Sequence, residues 1–298
     1  MKRIQPIDRK KDSKWLEYIE RNRIITSNSP KELVVDFTKM TFLRPLHLVS
    51  TACLVEEYNS NGYEIRIKCD EAVNARLSRY LKRIKLYEYW KPEFKREHYT
   101  KTDTDTYFCL WKYKKEMMQS FLVKSQEYFE KYVVGGNKDF EPLNVILAEL
   151  LNNISDHSNS LVDGYVASQF YPAIGQLEIA VCDFGDGIPI VINKYEKARG
   201  NKELSDKAAL EKAFNHGYST KSKKHNRGFG LDTIKSVTEE SKGKITAWSK
   251  RGAFRWESGK GKTTFTQSFR FNGTIFDINL DTNTFFEKEE GELSEFFF

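Results

Sequence analysis

The sequence has little of what would tie it to a membrane, a disulfide framework or a nucleic acid. Its four cysteines, Cys53, Cys69, Cys109 and Cys182, are scattered and show no paired spacing. That argues against a zinc site and a disulfide scaffold, and it fits a reducing compartment. No apolar run approaches the roughly 20 residues that a membrane-spanning helix needs. The N-terminus, Met-Lys-Arg-Ile-Gln-Pro, runs into charged residues with no apolar core and does not read as a signal peptide. The expectation is a cytoplasmic protein with no membrane partner. No block of Lys and Arg is long enough for a nucleic-acid arm. A net charge of +6 over 298 residues is mild; it fits an anionic ligand such as a nucleotide and does not argue for nucleic acid. No internal repeat is visible.

What is present is a soluble composition, highly charged and rich in aromatics, able to bury a sizeable core. Residues 1–30 are polar, with a short helix expected around Trp15 to Ile19. Leu33 to Phe37 is an apolar run of strand type, and Pro45 stands where a helix begins, with Leu46, Val49 and Cys53 at helical spacing. Asn61-Gly62 is a turn. Tyr63, Ile65 and Ile67 alternate with charges as a half-buried strand does. Val73, Leu77, Leu81 and Ile84 predict a second helix. Strand, helix, strand, helix makes a small α/β unit. Tyr107 to Trp111 predicts a strand and Met117 to Val133 a helix. Gly135-Gly136-Asn137 then marks the expected domain boundary.

Beyond that boundary Leu143, Ile146, Leu147, Leu150, Leu151 and Ile154 share one face of a predicted helix, and Glu149, Asn153, Asp156 and His157 form a polar stripe beside it. Strands are expected at Tyr165–Tyr171 and Gln176–Cys182. The second runs into Asp183-Phe-Gly185-Asp-Gly187. A carboxylate there can accept a hydrogen bond from the exocyclic amine of adenine, and the glycines let backbone approach a base. Further on, Gly217-Tyr-Ser219-Thr220-Lys221 and Arg227-Gly228-Phe229-Gly230 precede another helix, a setting in which backbone N–H groups cradle phosphate. Four strands are expected at the end: Lys244–Lys250, Ala253–Glu257, Thr263–Phe271 and Thr274–Leu280. Gly252, Gly259-Lys-Gly261 and Asn272-Gly273 separate them as hairpin turns. The tail, 281–298, is acidic and ends in three phenylalanines.

In this order the three motifs resemble the nucleotide-binding domain of the GHKL superfamily, which holds DNA gyrase, mismatch-repair ATPases, sensor histidine kinases and anti-sigma-factor kinases. Glu149 to His157 looks like its N box, Asp183 to Gly187 like its first glycine box, and Gly228 to Gly230 like its second. The resemblance covers roughly Glu141 to Leu280. It implies a Bergerat-fold α/β sandwich, with helices on one face of a mostly antiparallel sheet, that binds ATP and Mg²⁺. Asn153 would bind the metal and Glu149 would be the general base. Asp183, with Gly185 and Gly187, would hold adenine, and Gly228, Phe229 and Gly230 would wrap the phosphates. Asn193 to Arg227 would be a lid hinged at Ser219, Thr220 and Lys221, with Lys221, Lys223, Lys224 and Arg227 as cations for the terminal phosphate. Asp156 would help shape the adenine pocket. His157 would contact a phosphate or satisfy the helix end.

The first half resembles the STAS domain of anti-sigma-factor antagonists, in Val34-Val35-Asp36-Phe37-Thr38-Lys39-Met40-Thr41-Phe42-Leu43-Arg44-Pro45 and the helix after it; a generic βαβ piece fits the same residues. Where that family carries its phosphorylated serine, this chain reads Leu43-Arg44-Pro45, which implies that the phospho-switch is missing. The expected organisation is an N-terminal extension (1–30), a STAS-like α/β domain with a connecting helix (31–134), an ATP-binding domain (135–280) and a tail (281–298). Two functions stay open. One is a Mg²⁺-dependent ATPase or anti-sigma-type serine/threonine kinase in intracellular signalling, favoured by Glu149. The other is an ATP-gated interaction switch with little turnover. A histidine kinase ranks below both, because His47 and His98 stand in no phospho-acceptor motif. Either reading needs a protein partner or substrate that the residues do not identify, and a homodimer is compatible with both.

Overall fold

The computed structural model describes residues 1–8, 11–23, 31–95, 106–133, 139–157, 162, 164–218 and 230–285. Its first half is a parallel three-stranded sheet, ordered β1 (Lys2–Ile4), β2 (Glu32–Asp36), β3 (Glu64–Lys68). The helices are α1 (Asp12–Asn22), α2 (Pro45–Ser60) and α3 (Ala75–Arg83). Local chemistry explains the boundaries. Pro45 opens α2, where a missing N–H costs nothing. Gly62 turns the chain into β3 at φ +77°, and Asn74 caps α3 through the N–H of Leu77. Val73, expected on the apolar face of α3, precedes the helix and is 66% exposed. The cap at Asn74 starts the helix after it.

The second half is a five-stranded sheet in which every neighbouring pair is antiparallel. Its order is β4 (Tyr107–Tyr113), β5 (Gly164–Tyr171), β6 (Gln176–Asp183), β8 (Gly261–Asp281), β7 (Lys244–Glu257). Helices α4 (Met118–Tyr132), α5 (Glu141–His157), α6 (Ile188–Ala198), α7 (Asp206–Ala213) and α8 (Leu231–Glu240) supply the core on one face. The mixed α/β sandwich implied by the motifs is present.

The opposite face is covered too. Helix α2 packs on β5, β6 and β8, and α1 packs on β8. This is why α2 is apolar nearly all round, with Leu46, Val49, Ala52, Cys53, Leu54 and Val55 all buried. The strands answer by alternation. Leu177, Ile179 and Val181 face the five helices, whereas Ala180 and Cys182 belong to the core shared with α2. Small side chains let the helix sit close, and the Cys53 thiol donates to the carbonyl of Cys182 at 3.3 Å.

Three expectations change. The Gly135-Gly136-Asn137 boundary lies outside the described residues, but the sheet crosses it: β4, from the expected first domain, is the edge strand paired with β5. Its aromatic residues Phe108 and Trp111 join the helical-face core. The four expected C-terminal strands are two long ones, because Gly252 and Asn272-Gly273 lie inside strands at register shifts and only the segment around Gly259 is a turn. A glycine within a strand marks a bulge or a close approach as readily as a turn. Asn193, where the expected lid starts, is part of regular structure. That residue sits inside α6 and ties to Leu204 through both its amide oxygen and its amide nitrogen. Ala209, Leu210 and Ala213 of α7 are buried, and Phe214 stacks on Phe254 at 3.9 Å between ring centroids.

Polar groups pin the two halves together. Arg44, just before α2, pairs with Asp12 at 2.9 Å, Glu178 at 2.8 Å and Asp277 at 3.1 Å. Those carboxylates hold its guanidinium charge more firmly than usual, against the burial that opposes it. Burial beside Glu178 pushes the Asp277 carboxyl well up. Glu56 of α2 accepts from Trp90 and Tyr165 at 2.9 Å and from Lys112 of β4 at 2.7 Å.

Candidate functional site

Helix α5 has the seam that its spacing predicts. Leu143, Ile146, Leu147, Leu150, Leu151 and Ile154 are buried in the core, and Glu149 and Asn153 are left half-buried beside it. The amide nitrogen of Asn153 donates to the carbonyl of Glu149 at 2.9 Å. That bond occupies the NH₂ end, so the amide oxygen is the atom that a hard cation would take. The backbone of α5 continues through Asp156 and His157, whose side chains lie outside the described residues.

Asp183 ends β6 with its side chain on the α5 side of the sheet, 6% exposed. Its Oδ1 accepts from the N–H of Gly185 at 2.7 Å. Burial pushes its carboxyl from an ordinary value near 3.8 up to about 7; the Gly185 bond, the charges of Lys250 and Arg23 and a backbone bond from Thr274 oppose that rise without cancelling it. A carboxyl held this high is one whose charge lacks solvation, and a ligand that donates a hydrogen bond would supply some.

Gly187 caps α6 at φ +82°, and a Cβ there would sit 2.6 Å from Ser249 Oγ and 2.9 Å from the carbonyl of Gly273. The position needs glycine for conformation and for room. Asn153, Asp183, Gly187, Ile188, Thr274 and Phe276 line one pocket. Three segments far apart in sequence therefore meet at one place.

Of the residues expected at the phosphate end, Ser219, Thr220, Lys221, Lys223, Lys224, Arg227, Gly228 and Phe229 lie outside the described residues. Gly230 caps α8 in extended conformation, with only the Tyr218 carbonyl near a built Cβ, at 3.9 Å. Its backbone does not itself demand glycine. The last described residue before that segment, Tyr218, is tethered: its hydroxyl donates to Glu196 at 2.8 Å. Lys212, Tyr218 and Asn201 hold the Glu196 carboxyl down to about 2.

Four site residues escape the motif reading. Thr274 lies directly opposite Asp183 in register. Ser249 accepts from the N–H of Ile188 at 3.1 Å and donates to the carbonyl of Gly273 at 2.7 Å, so it joins the start of α6 to the bulge in β8. Lys250, at φ +53°, is buried and bonds Asn272 at 3.2 Å; burial lowers its ammonium pKa. Arg23, from the first half, lies 3.7 Å over the ring of Phe184 and donates to the carbonyl of Asn272. The available signal was Gly273-Thr274, a glycine inside an alternating strand, which is also what a turn looks like in sequence.

Residues 138–273 match the model of the histidine kinase-, DNA gyrase B-, and HSP90-like ATPase family. The match starts after α4 and stops one residue short of Thr274, so the sheet draws strands from beyond both of its ends. No curated protein matches the chain.

Proposed function

With residues 138–273 forming a GHKL-type ATP-binding domain, we propose that the chain is a Mg²⁺-dependent ATPase or protein serine/threonine kinase acting in intracellular signalling. The observation that carries the site reading is the convergence of Asp183, nearly buried and solvation-starved, with Asn153 of α5 in one pocket. Asp183 accepts from the adenine amine. Gly187 keeps the wall free of a side chain. Asn153 presents one amide oxygen to Mg²⁺, which suits an ion that keeps waters and takes its other ligands from phosphate. When bound, the ion would offset phosphate charge. Glu149, one helical turn before Asn153, takes the proton from an attacking water or hydroxyl. Asp156 would help shape the adenine pocket, and His157, Ser219, Thr220, Lys221, Arg227 and Gly228 to Gly230 would serve the phosphate end.

A second reading, an ATP-gated switch with slow turnover, draws on one contact. Phe184 follows Asp183 and points to the other side of the sheet, where Arg23 covers it. Adenine on one side and the N-terminal half on the other thus act on adjacent residues. The STAS-like reading fits as a docked partner of the sheet rather than a phospho-switched one, since Arg44 stands in the switch position and is committed to three carboxylates.

Titration with Mg-ATP followed by steady-state phosphate release tests the readings. Glu149→Ala should keep nucleotide affinity within about threefold and lose at least roughly a hundredfold in turnover, in line with general-base contributions. Retained turnover in that variant rejects Glu149 as the base. Tight binding without turnover in the wild type selects the switch. Absence of ATP binding rejects both.

A further inference from the structure

A cavity that the ATP site does not use lies between α3 and the edge of the five-stranded sheet. It has a volume of about 380 Å³ and includes Thr106 and Gln169 from the sheet side. Its N-terminal wall combines two chemistries. Leu43 and Leu77 are buried at its base, and Phe42 stands beside them 43% exposed, its ring 6.3 Å from that of Tyr171. Arg76, Arg79 and Arg83 of α3 also line it. Spacings of three and four bring these arginines onto one helical face, within about one turn of each other.

No Asp or Glu is among the described residues lining the cavity. Two acids of the neighbouring described segments are engaged elsewhere. Asp8 accepts from the N–H and hydroxyl of Thr41, and Glu71 pairs with Lys82 at 2.5 Å. Three guanidinium groups gathered on one helical face repel one another, and an anion relieves that repulsion. Guanidinium forks match phosphate oxygens two at a time. The volume far exceeds what inorganic phosphate needs and falls within the range of nucleotide-sized ligands. An exposed aromatic ring beside the cationic wall offers a stacking surface for a planar body.

We propose that this cavity is a second ligand site, distinct from the Asp183 pocket, for an organic phosphate with an aromatic body, of nucleoside diphosphate size. The arginines take the phosphates and Phe42 takes the base. A ligand there would touch both α3 and residues at the sheet edge, so it would bridge the two halves of the chain.

The test is calorimetric titration of the full chain with ADP, GDP and pyrophosphate. It compares wild type, Asp183→Asn, and an arginine variant that adds Arg79→Ala/Arg83→Ala to Asp183→Asn. The expected result is one nucleotide per chain retained in Asp183→Asn, and that event weakened at least about tenfold in the arginine variant, as loss of charge-assisted bonds implies. Affinity should fall with added salt, and pyrophosphate should bind more weakly than GDP because it cannot stack. Phe42→Ala, scored by the same titration, should cost GDP affinity and leave pyrophosphate unchanged. The proposal is overturned if Asp183→Asn binds none of the three probes up to about millimolar concentration, or if the arginine variant binds as Asp183→Asn does. Pyrophosphate equal to GDP overturns the aromatic part. Failure of the ATP-site reading looks different: Asp183→Asn would bind ADP as wild type does. The three arginines are exposed, so the variants should fold, which circular dichroism checks.

Discussion

Replacing Asp183 by asparagine should raise the stability of the free protein at alkaline pH while lowering its affinity for ATP. The carboxyl titrates near 3.8 when unfolded and at about 7 in the native chain, chiefly because burial opposes its charge. Between those values the native state holds one more proton than the unfolded state, so stability falls as pH rises through the window. At about 1.4 kcal/mol per pH unit, the full cost above pH 7 is roughly 4 kcal/mol. At pH 5 only about the first unit of the window has been crossed, so roughly 2–3 kcal/mol of cost opens between pH 5 and pH 8. Asparagine does not titrate, and whatever its amide loses in fit is the same at both values. The stability difference, variant minus wild type, should therefore increase by that amount from pH 5 to pH 8. Denaturant midpoints at the two pH values measure it directly. In thermal melts it amounts to roughly 4 °C or more of relative shift for a chain of this size. ATP affinity should fall about tenfold to a hundredfold, the worth of a hydrogen bond to a charged acceptor. A stability difference that does not change with pH would refute the claim that Asp183 is held unsolvated, and an unchanged ATP affinity would refute its role.

Gly273→Ala should destabilise the chain by more than about 2 kcal/mol and abolish nucleotide binding, because a Cβ at φ +138° would lie 2.1 Å from the carbonyl oxygen of Asp183; urea unfolding and ATP titration check the two halves of that statement. Arg44→Ala should cost about 3–5 kcal/mol at neutral pH, since it strands Glu178 and Asp277. The loss should shrink on acidification, which neutralises the raised Asp277 carboxyl first; a loss that grows on acidification counts against this reading. Arg23→Ala should weaken ATP binding by up to about tenfold through loss of its contact with Phe184. If global stability drops and the affinity stays put, the two sides of the sheet are not coupled through Phe184.

The sheet itself makes such coupling reasonable. Consecutive strand residues point to opposite faces, so Asp183 reaches the pocket lined by α5 while Phe184 reaches the core under α1 and α2. On the proposed reading, a change in how adenine sits on Asp183 would move backbone that Arg23 and Glu20 also grip, the latter accepting from Asn272 N–H at 3.1 Å. The N-terminal half is bonded to the strands that carry the Asp183 pocket.

Much of this was legible beforehand where the signal is local. The seam of α5 follows from apolar spacing, and the Pro45 start, the Gly62 turn and the alternation of Ile65 and Ile67 follow from residue chemistry. Asp183-x-Gly-x-Gly pointed to a carboxylate at a strand end because it follows the buried-type run from Leu177 to Val181. What misled was glycine. Gly252 and Gly273 read as turns because a turn and a bulge ask the same thing of the backbone, and only strand pairing tells them apart. The edge strand β4 read as part of the first half because a strand's partner is not written in the strand.

By itself the sequence determined the elements and the three motifs, since helix seams, caps and strand alternation depend on neighbours a few residues away. Tertiary structure alone decided that α2 would be buried between two sheets, that Thr274 and Ser249 would stand beside Asp183 and Gly187, and that Arg23 would reach Phe184 from more than 150 positions away. It also placed three arginines over an apolar floor with no acid among the described lining residues. These depend on strand order and on which face of the sheet each residue takes. Both are settled by long-range burial, for which no local pattern codes.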